Sequence, residues 1–359
     1  MSQEVYRQLL EVMKKRGGRW AGMDIPEFFQ MVEELFTPEE AEVNNALPRG
    51  PTTSKDLAVA MGRDEGEMEK ILESMANKGL CVAAGFGGKQ FYQSARFAPG
   101  ILEFQFMRRE SSERDKKLAR LIHDYKTAFD EKTGFRKITF PALRVIPVSR
   151  IIAAGNIVHT YDQVQTYIDK YDPIAVSHCY CRNEAGLLGK DTHGVPLETC
   201  MTFGLAAQFA VDRLGARKLN KQEARELLNQ AEEAGLVHSS MNTTENIQFL
   251  CNCDRWNCIV IQDALKQPRP AFAFNSRFQP RVDPKMCVAC GKCVGRCPSS
   301  ARSMKEEGLP KVDLDRCFGC AVCATGCPSK AIAMESRLGL PEPPRDEKAL
   351  SQAIKASRM

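Results

Sequence analysis

The sequence predicts an α+β protein in three parts: a helical head with one β-hairpin, a cysteine-rich α/β middle, and a small duplicated module toward the C-terminal end. Three observations carry this. The fifteen cysteines are unevenly spread over 359 residues: Cys81 alone, six from Cys179 to Cys258, and eight from Cys287 to Cys327. Apolar residues recur at helical spacing ahead of residue 80, whereas short extended runs interrupt the helical pattern further on. Near the C-terminal end, residues thirty positions apart match one another.

Composition bounds the class. Hydrophobic residues make up 43% and charged residues 26% of the chain, as in globular proteins, and a net charge of +5 is too mild to call for nucleic acid. No apolar run approaches the ~18 residues of a membrane span. Met1 to Gly18 is charged and lacks the apolar core of a secretion signal, so a cytoplasmic protein is expected. In a reducing compartment so many cysteines point to metal sites or catalytic thiols rather than disulfides. The expected divisions are 1–100 for the head, 101–139 for a helical connector, 140–268 for the cysteine-rich middle, 269–335 for the duplicated module and 336–359 for a polar tail.

In the head, Ser54 is expected to cap a helix through Leu57, Ala58 and Met61, with the turn at Gly62. A second helix carries Met68, Ile71, Leu72 and Met75 inward and stops at Gly79. Cys81–Ala84 and Gln90–Gln93 then flank Gly85-Phe86-Gly87-Gly88 as a hairpin, with Cys81 buried in its first strand. This order is similar to a winged helix. A recognition helix needs basic or amide side chains toward the groove, yet Asp64 to Lys78 holds five acids against two lysines. Phosphates would repel it, so DNA binding is not expected and an interaction or structural module is. The glycine-rich hairpin is no phosphate loop, because no Gly-Lys-Ser/Thr leads into a helix. In the connector, Phe104, Phe106, Leu118, Leu121, Ile122 and Tyr125 suggest charged helices with one apolar stripe.

The middle holds Cys179, Cys181, Cys200, Cys251, Cys253 and Cys258. Ile174–Ser177 is expected as a strand feeding the first pair, and a helix through Phe203, Ala207 and Ala210 would start near Cys200 and favour its thiolate. Asn220 and Glu223 form a capping box for a helix whose inner stripe is Ala224, Leu227, Leu228 and Ala231, stopped by Gly235. Leu236–Met241 and Ile247–Leu250 follow as strands, the second delivering Cys251 and Cys253 if it pairs toward Ile174–Ser177. Both Cys-x-Cys pairs are expected extended, with their two thiolates on one face. Six such thiolates suit a third iron–sulfur cluster or a zinc, the plainer alternative being buried apolar cysteines. His178 and His193 are further candidate ligands. Arg182 is expected either to neutralise an anionic cluster or to form a surface ion pair.

The module contains Cys287-x2-Cys290-x2-Cys293-x3-Cys297-Pro298 and Cys317-x2-Cys320-x2-Cys323-x3-Cys327-Pro328. Pro280, Val282, Asp283, Ala301 and Met304 recur as Pro310, Val312, Asp313, Ala331 and Met334. Two-residue gaps form a tight loop aiming three thiolates at one [4Fe–4S] cubane, while the fourth reaches the other. Cluster I should take Cys287, Cys290, Cys293 and Cys327, and cluster II Cys317, Cys320, Cys323 and Cys297. Zinc sites pair their cysteines across longer gaps. The module lacks the strongly acidic surface of many free electron carriers, which points to a fixed intramolecular or protein partner. The partners expected are a redox protein and, separately, a homo- or hetero-oligomer. The tail is expected to hold a short helix from Asp346.

Pro280 to Met334 resembles bacterial two-cluster ferredoxins, with every ligand position filled. Residues 140–265 resemble a family of iron–sulfur proteins of anaerobic bacteria and archaea. Its members carry an HCxCR element, a KxEAxxLLxxAEExGLVH-like helix and strand, and a CNC element before a ferredoxin domain, here His178–Arg182, Lys221–His238 and Cys251–Cys253. Relatives are richer in cysteine after CNC, where this chain has Asp254, Trp256 and Asn257. The resemblance implies anaerobic electron transfer with no fixed substrate. The expected function is thus an electron-transfer protein or subunit. A reductase acting at the middle cysteines and a redox-sensing regulator are the alternatives. No nucleotide fingerprint or catalytic triad supports a stand-alone enzyme.

Overall fold

The computed structural model describes residues 2–109, 112–148, 152, 162–306, 308–337 and 339–358. It is a mixed α/β structure whose chain divides into two compact units.

One unit comprises Met1–Arg136, Ser177–Asp191 and Ala207–Arg217. It is mainly helical. Helix Pro26–Leu35 packs on the long helix Glu113–Thr133, where Phe28 meets Tyr125 edge-on at 5.7 Å and Phe97 at 5.9 Å. Helices Ser54–Met61 and Glu65–Asn77 are followed by β1 (Cys81–Phe86) and β2 (Lys89–Ser94), an antiparallel pair. Met68, Leu72, Met75 and Cys81 are all buried. The cap of the first of these helices is Thr53, not Ser54: the Thr53 backbone is extended and its hydroxyl accepts from Asp56 N at 3.1 Å, leaving Ser54 as the first helical residue. Gly62 closes that helix in the left-handed region at φ 64°. A buried ion pair joins Lys126 to Glu184 at 2.7 Å.

The other unit comprises Lys137–Val176, Thr192–Ala206 and Lys218–Met359. Its six-stranded sheet is formed by β3 (Leu143–Val145), β4 (Ile174–His178), β5 (Glu198–Phe203), β6 (Arg217–Leu219), β7 (Val237–Met241) and β8 (Phe249–Cys253), in the order β3-β7-β8-β5-β4-β6, the last two residues of β4 and the first of β6 being counted with the other unit. β8 pairs antiparallel with β7 and β5. β5 therefore stands between β8 and β4, and the expected direct pairing of β8 toward Ile174–Ser177 is not found. Helix Lys221–Glu233, with its Asn220–Glu223 capping box, and helix Val164–Lys170 bury Leu227, Leu228, Tyr167 and Ile168 against Ile174, Val176, Met201 and Leu250.

Two small antiparallel pairs complete this unit. β9 (Phe278–Val282) pairs with β12 (Ile332–Ser336), and β10 (Arg302–Met304) pairs with β11 (Pro310–Val312). Pro280 stands opposite Met334 and Pro310 opposite Met304, so each repeat begins on a strand paired with the one that ends the other. The backbone repeats in detail. Asp283 N donates to Ala331 O and Asp313 N to Ala301 O, both at 2.8 Å. Positive φ recurs at Ala289 and Gly319, at Gly291 and Ala321, and at Ser300 and Lys330.

Candidate metal centre

The duplicated loops build two cavities. One is lined by Cys317, Cys320 and Cys323 of the second run together with Cys297 of the first. The other is lined by Cys287, Cys290 and Cys293 of the first run together with Cys327 of the second. Each cavity thus has three cysteines from one run and the fourth from the other. Short helices Lys292–Gly295 and Val322–Thr325 carry the third cysteine of each run, and the chain turns away after the fourth at Pro298 and Pro328.

The walls suit an anionic sulfur cluster. Ala301 N donates to Cys297 Sγ at 3.2 Å and Gly319 N to Cys317 Sγ at 3.4 Å, the amide-to-sulfur bonds that tune such clusters. Burial works upward on Cys327, but the Ser329 hydroxyl and the N–H groups of Ala331, Ser329 and Ile332 outweigh it and hold this thiol below its ordinary range. Burial pushes Cys323 up to about 12 and Cys320 well above the thiol range. Those sulfurs become thiolates only against a compensating metal charge. The donor set and its surroundings therefore fit iron–sulfur clusters. Among the described residues no three His, Cys, Asp or Glu donors converge as a single bound ion would require.

The two cavities differ in access. Cys290 is exposed, Cys287 and Cys327 are partly buried, and beside them Val288 is 64% and Met286 47% exposed. Around the other cavity Cys297, Cys317, Cys320 and Cys323 are all buried. Gly319 marks a close approach there: a Cβ would lie 2.1 Å from Ser276 Oγ and 2.2 Å from Phe278 O. Arg302, only 4% exposed, also lines the buried cavity. The sequence expectations do not include this residue, although its equivalence to Ile332, thirty positions on in the duplication, is a legible signal.

The middle cysteines fall into two groups. Cys200 lies within β5 rather than at a helix start, because Thr199, Thr202 and Phe203 favour extended backbone and Gly204, at φ 58°, makes the turn before helix Leu205–Leu214. Cys251 and Cys253 lie inside β8, which runs Phe249–Cys253 rather than Ile247–Leu250. Hydrogen bonding to Cys200 and Cys253, with burial, holds the Cys251 thiol well above its ordinary range. The strand pairing is braced by side chains: His238 Nδ1 meets Asn252 Oδ1 at 2.5 Å, and Asn252 Nδ2 donates to Thr199 O at 2.7 Å. Asp254 Oδ1 accepts from Trp256 N and Asn257 N at 2.7 and 2.6 Å, and the turn brings Cys258 to the start of helix Ile259–Leu265. Cys253 and Cys258 share one buried cluster with Phe274, Phe318 and Cys320, in which the two phenyl rings lie 4.8 Å apart.

Cys179 and Cys181 belong to the first unit and are not an extended pair. Cys179 is the N-cap of helix Tyr180–Leu187, so Cys181 already lies in its first turn. The His178–Cys179 step ends β4 and the chain turns directly into that helix. Hydrogen bonding to Cys181 and burial raise the Cys179 thiol, while the Arg182 charge works downward. Arg182 is fully buried, so the surface ion pair is not its role. His178 closes β4, and His193 stacks on Trp256 at 4.4 Å.

These features define a C-terminal iron–sulfur module of the two-loop type. A family model described as a 4Fe-4S dicluster domain matches residues 280–334, and the chain carries a ferredoxin-like iron–sulfur domain there. No curated protein matches the chain. Among the described residues no helix is long and apolar enough to cross a membrane.

Proposed function

We propose that this protein is an electron carrier or an electron-transfer subunit of an anaerobic, cytoplasmic redox complex, working through two [4Fe–4S] clusters. Cys287, Cys290, Cys293 and Cys327 hold cluster I, and Cys317, Cys320, Cys323 and Cys297 hold cluster II. The observation that carries this reading is the pair of cavities, each walled by four cysteines drawn from both runs. When bound, the clusters supply one-electron redox chemistry. The chain's own residues exclude water from cluster II and leave cluster I beside exposed Met286, Val288 and Cys290. Cluster I is therefore the face for exchange with a redox protein partner.

A third centre in the middle is the second part of the proposal. Cys251 adjoins both Cys200 and Cys253, and Cys253 and Cys258 share the buried cluster of Cys320. Electrons would run from the exposed face through cluster II toward these thiols. The head, with its acidic second helix, serves as an interaction module with a winged-helix arrangement.

Iron and acid-labile sulfide per chain after anaerobic purification test both parts. About eight irons support the two clusters alone, and about twelve add a third cubane. Folded protein that binds no iron on reconstitution would overturn the proposal. Cys253→Ser should lower the count only in the second case.

A further inference from the structure

The duplication offers an internal comparison at one position. Arg302 lines the buried cavity, and its counterpart in the repeat, Ile332, lines the exposed one. An arginine on an apolar wall is costly unless its charge and N–H groups are answered. Arg302 is 4% exposed, and its Nε and Nη2 have no hydrogen-bond partner among the described residues. It makes no ion pair among them either. The groups sharing its cavity are the four sulfurs Cys297, Cys317, Cys320 and Cys323, with Pro280, Pro298, Phe318, Ala321 and Met334 completing an otherwise apolar wall apart from Ser299. Its charge also works downward on the thiols of Cys317 and Cys323. The guanidinium is thus aimed where an anionic cluster with acceptor sulfurs would lie.

We infer that Arg302 is a potential-setting residue, a buried cation that stabilises the reduced form of cluster II. This rests on the two-cluster reading above. Gaining an electron makes a thiolate-ligated cluster more negative, and burial disfavours that form. Enclosure alone would leave cluster II, whose four cysteines are all buried, harder to reduce than cluster I, where Cys290 is exposed, Cys287 and Cys327 are partly buried and only Cys293 is buried. A fixed positive charge with free N–H donors offsets this where screening by water is least. An electron given to cluster I by a low-potential one-electron donor can then pass inward, cluster I being reoxidised as cluster II is reduced. The exposed cavity needs no such device and has isoleucine.

The test is an EPR-monitored redox titration of the anaerobically purified full chain with dithionite, with iron and sulfide counted on the same samples. Cys327→Ser, which removes cluster I, identifies the cluster II signal. Arg302→Ile should shift the reduced-to-oxidised ratio of cluster II at a fixed potential at least tenfold toward oxidised, equivalent to about 59 mV for one electron, and leave cluster I within threefold. Arg302→Gln and Arg302→Lys keep the cavity filled and polar, and they decide the matter if the isoleucine variant fails to assemble. Gln should reproduce the loss and Lys should retain most of the wild-type ratio. Full iron content with an unmoved cluster II in Arg302→Gln overturns the role of Arg302 while sparing the two-cluster reading. Absence of iron in the wild-type chain overturns that reading itself.

Discussion

Cys297, the last cysteine of the first run, packs beside Cys317, the first of the second, and both face the same cavity. Neither loop completes a four-sulfur wall without the other.

That crossing sets the first prediction. Cys297→Ser should remove cluster II, although the cysteine belongs to the first run, and Cys327→Ser should remove cluster I. Each variant should lose about four irons per chain relative to the wild type. The cluster left in Cys297→Ser faces solvent and should lose iron to a chelator faster than the one left in Cys327→Ser. The reverse order of chelation rates would count against the crossed assignment.

Gly319 and Gly291 hold left-handed backbone, at φ 64° and 70°, but their surroundings differ. A Cβ at Gly319 meets Ser276 Oγ and the Phe278 carbonyl, whereas one at Gly291 meets nothing within 4 Å. Ala321, the counterpart of Gly291, already holds this conformation at φ 67°. Gly291→Ala should cost about 1–2 kcal/mol, the penalty for the left-handed region alone. Gly319→Ala should cost at least about 3 kcal/mol and reduce cluster II loading. Urea denaturation under anaerobic conditions, with iron counts, separates the two.

How much of this was legible in the sequence depends on what sets each element. The cysteine runs and their flanking Pro280, Val282 and Asp283 are readable because ligand spacing and repetition are local properties of the chain. So are the Asn220 cap and the stripe from Ala224 to Ala231, which follow helical period. Cys200 is misread because Ala207 and Ala210 extend a helical pattern backward over Thr199, Thr202 and Phe203, and pairing with β8 decides for a strand. The Cys179–Cys181 pair fails for the opposite reason, since an extended run does not announce where a helix takes over. Arg182 and Arg302 are polar by type and buried by place, which only the packing reveals.

Arg296 ties the module to the sheet domain's helix. Its Nη2 donates to Glu232 O at 3.0 Å and Glu233 O at 3.3 Å, at the C-terminal end of helix Lys221–Glu233, and its stem packs over Gly326. A cation there answers the last carbonyls and the helix dipole. Arg296→Ala should destabilise by about 1–3 kcal/mol. Amide hydrogen exchange should rise in the last turn of that helix, and iron content should hold.

Glu40 gives a pH dependence with a definite sign. It is buried and accepts from Lys78 Nζ at 2.8 and 2.9 Å, Ser74 Oγ at 2.9 Å and Thr37 N at 3.0 Å. Burial pushes its carboxyl upward, but these donors outweigh it and hold it below the ordinary range. A folded pKa below the unfolded one contributes stability above the unfolded value, about 4.3, that is lost as pH falls through the folded value. Glu40→Gln should cost about 1–2 kcal/mol at pH 7, the lower end reflecting a partly solvated Lys78, and the gap should close below about pH 4. Hydrogen exchange of helices Pro38–Ala46 and Glu65–Asn77 reads it directly.

The pairing of β9 with β12 has a further consequence. The polypeptide enters the module at Phe278 and leaves it at Ser336, side by side on neighbouring strands. A segment whose two ends meet can be spliced into a host chain, or lifted out of it, without pulling the flanking scaffold apart. The wiring of this protein is in that sense a socketed part: its doubled cluster cradle closes on itself and hands the chain back where it received it.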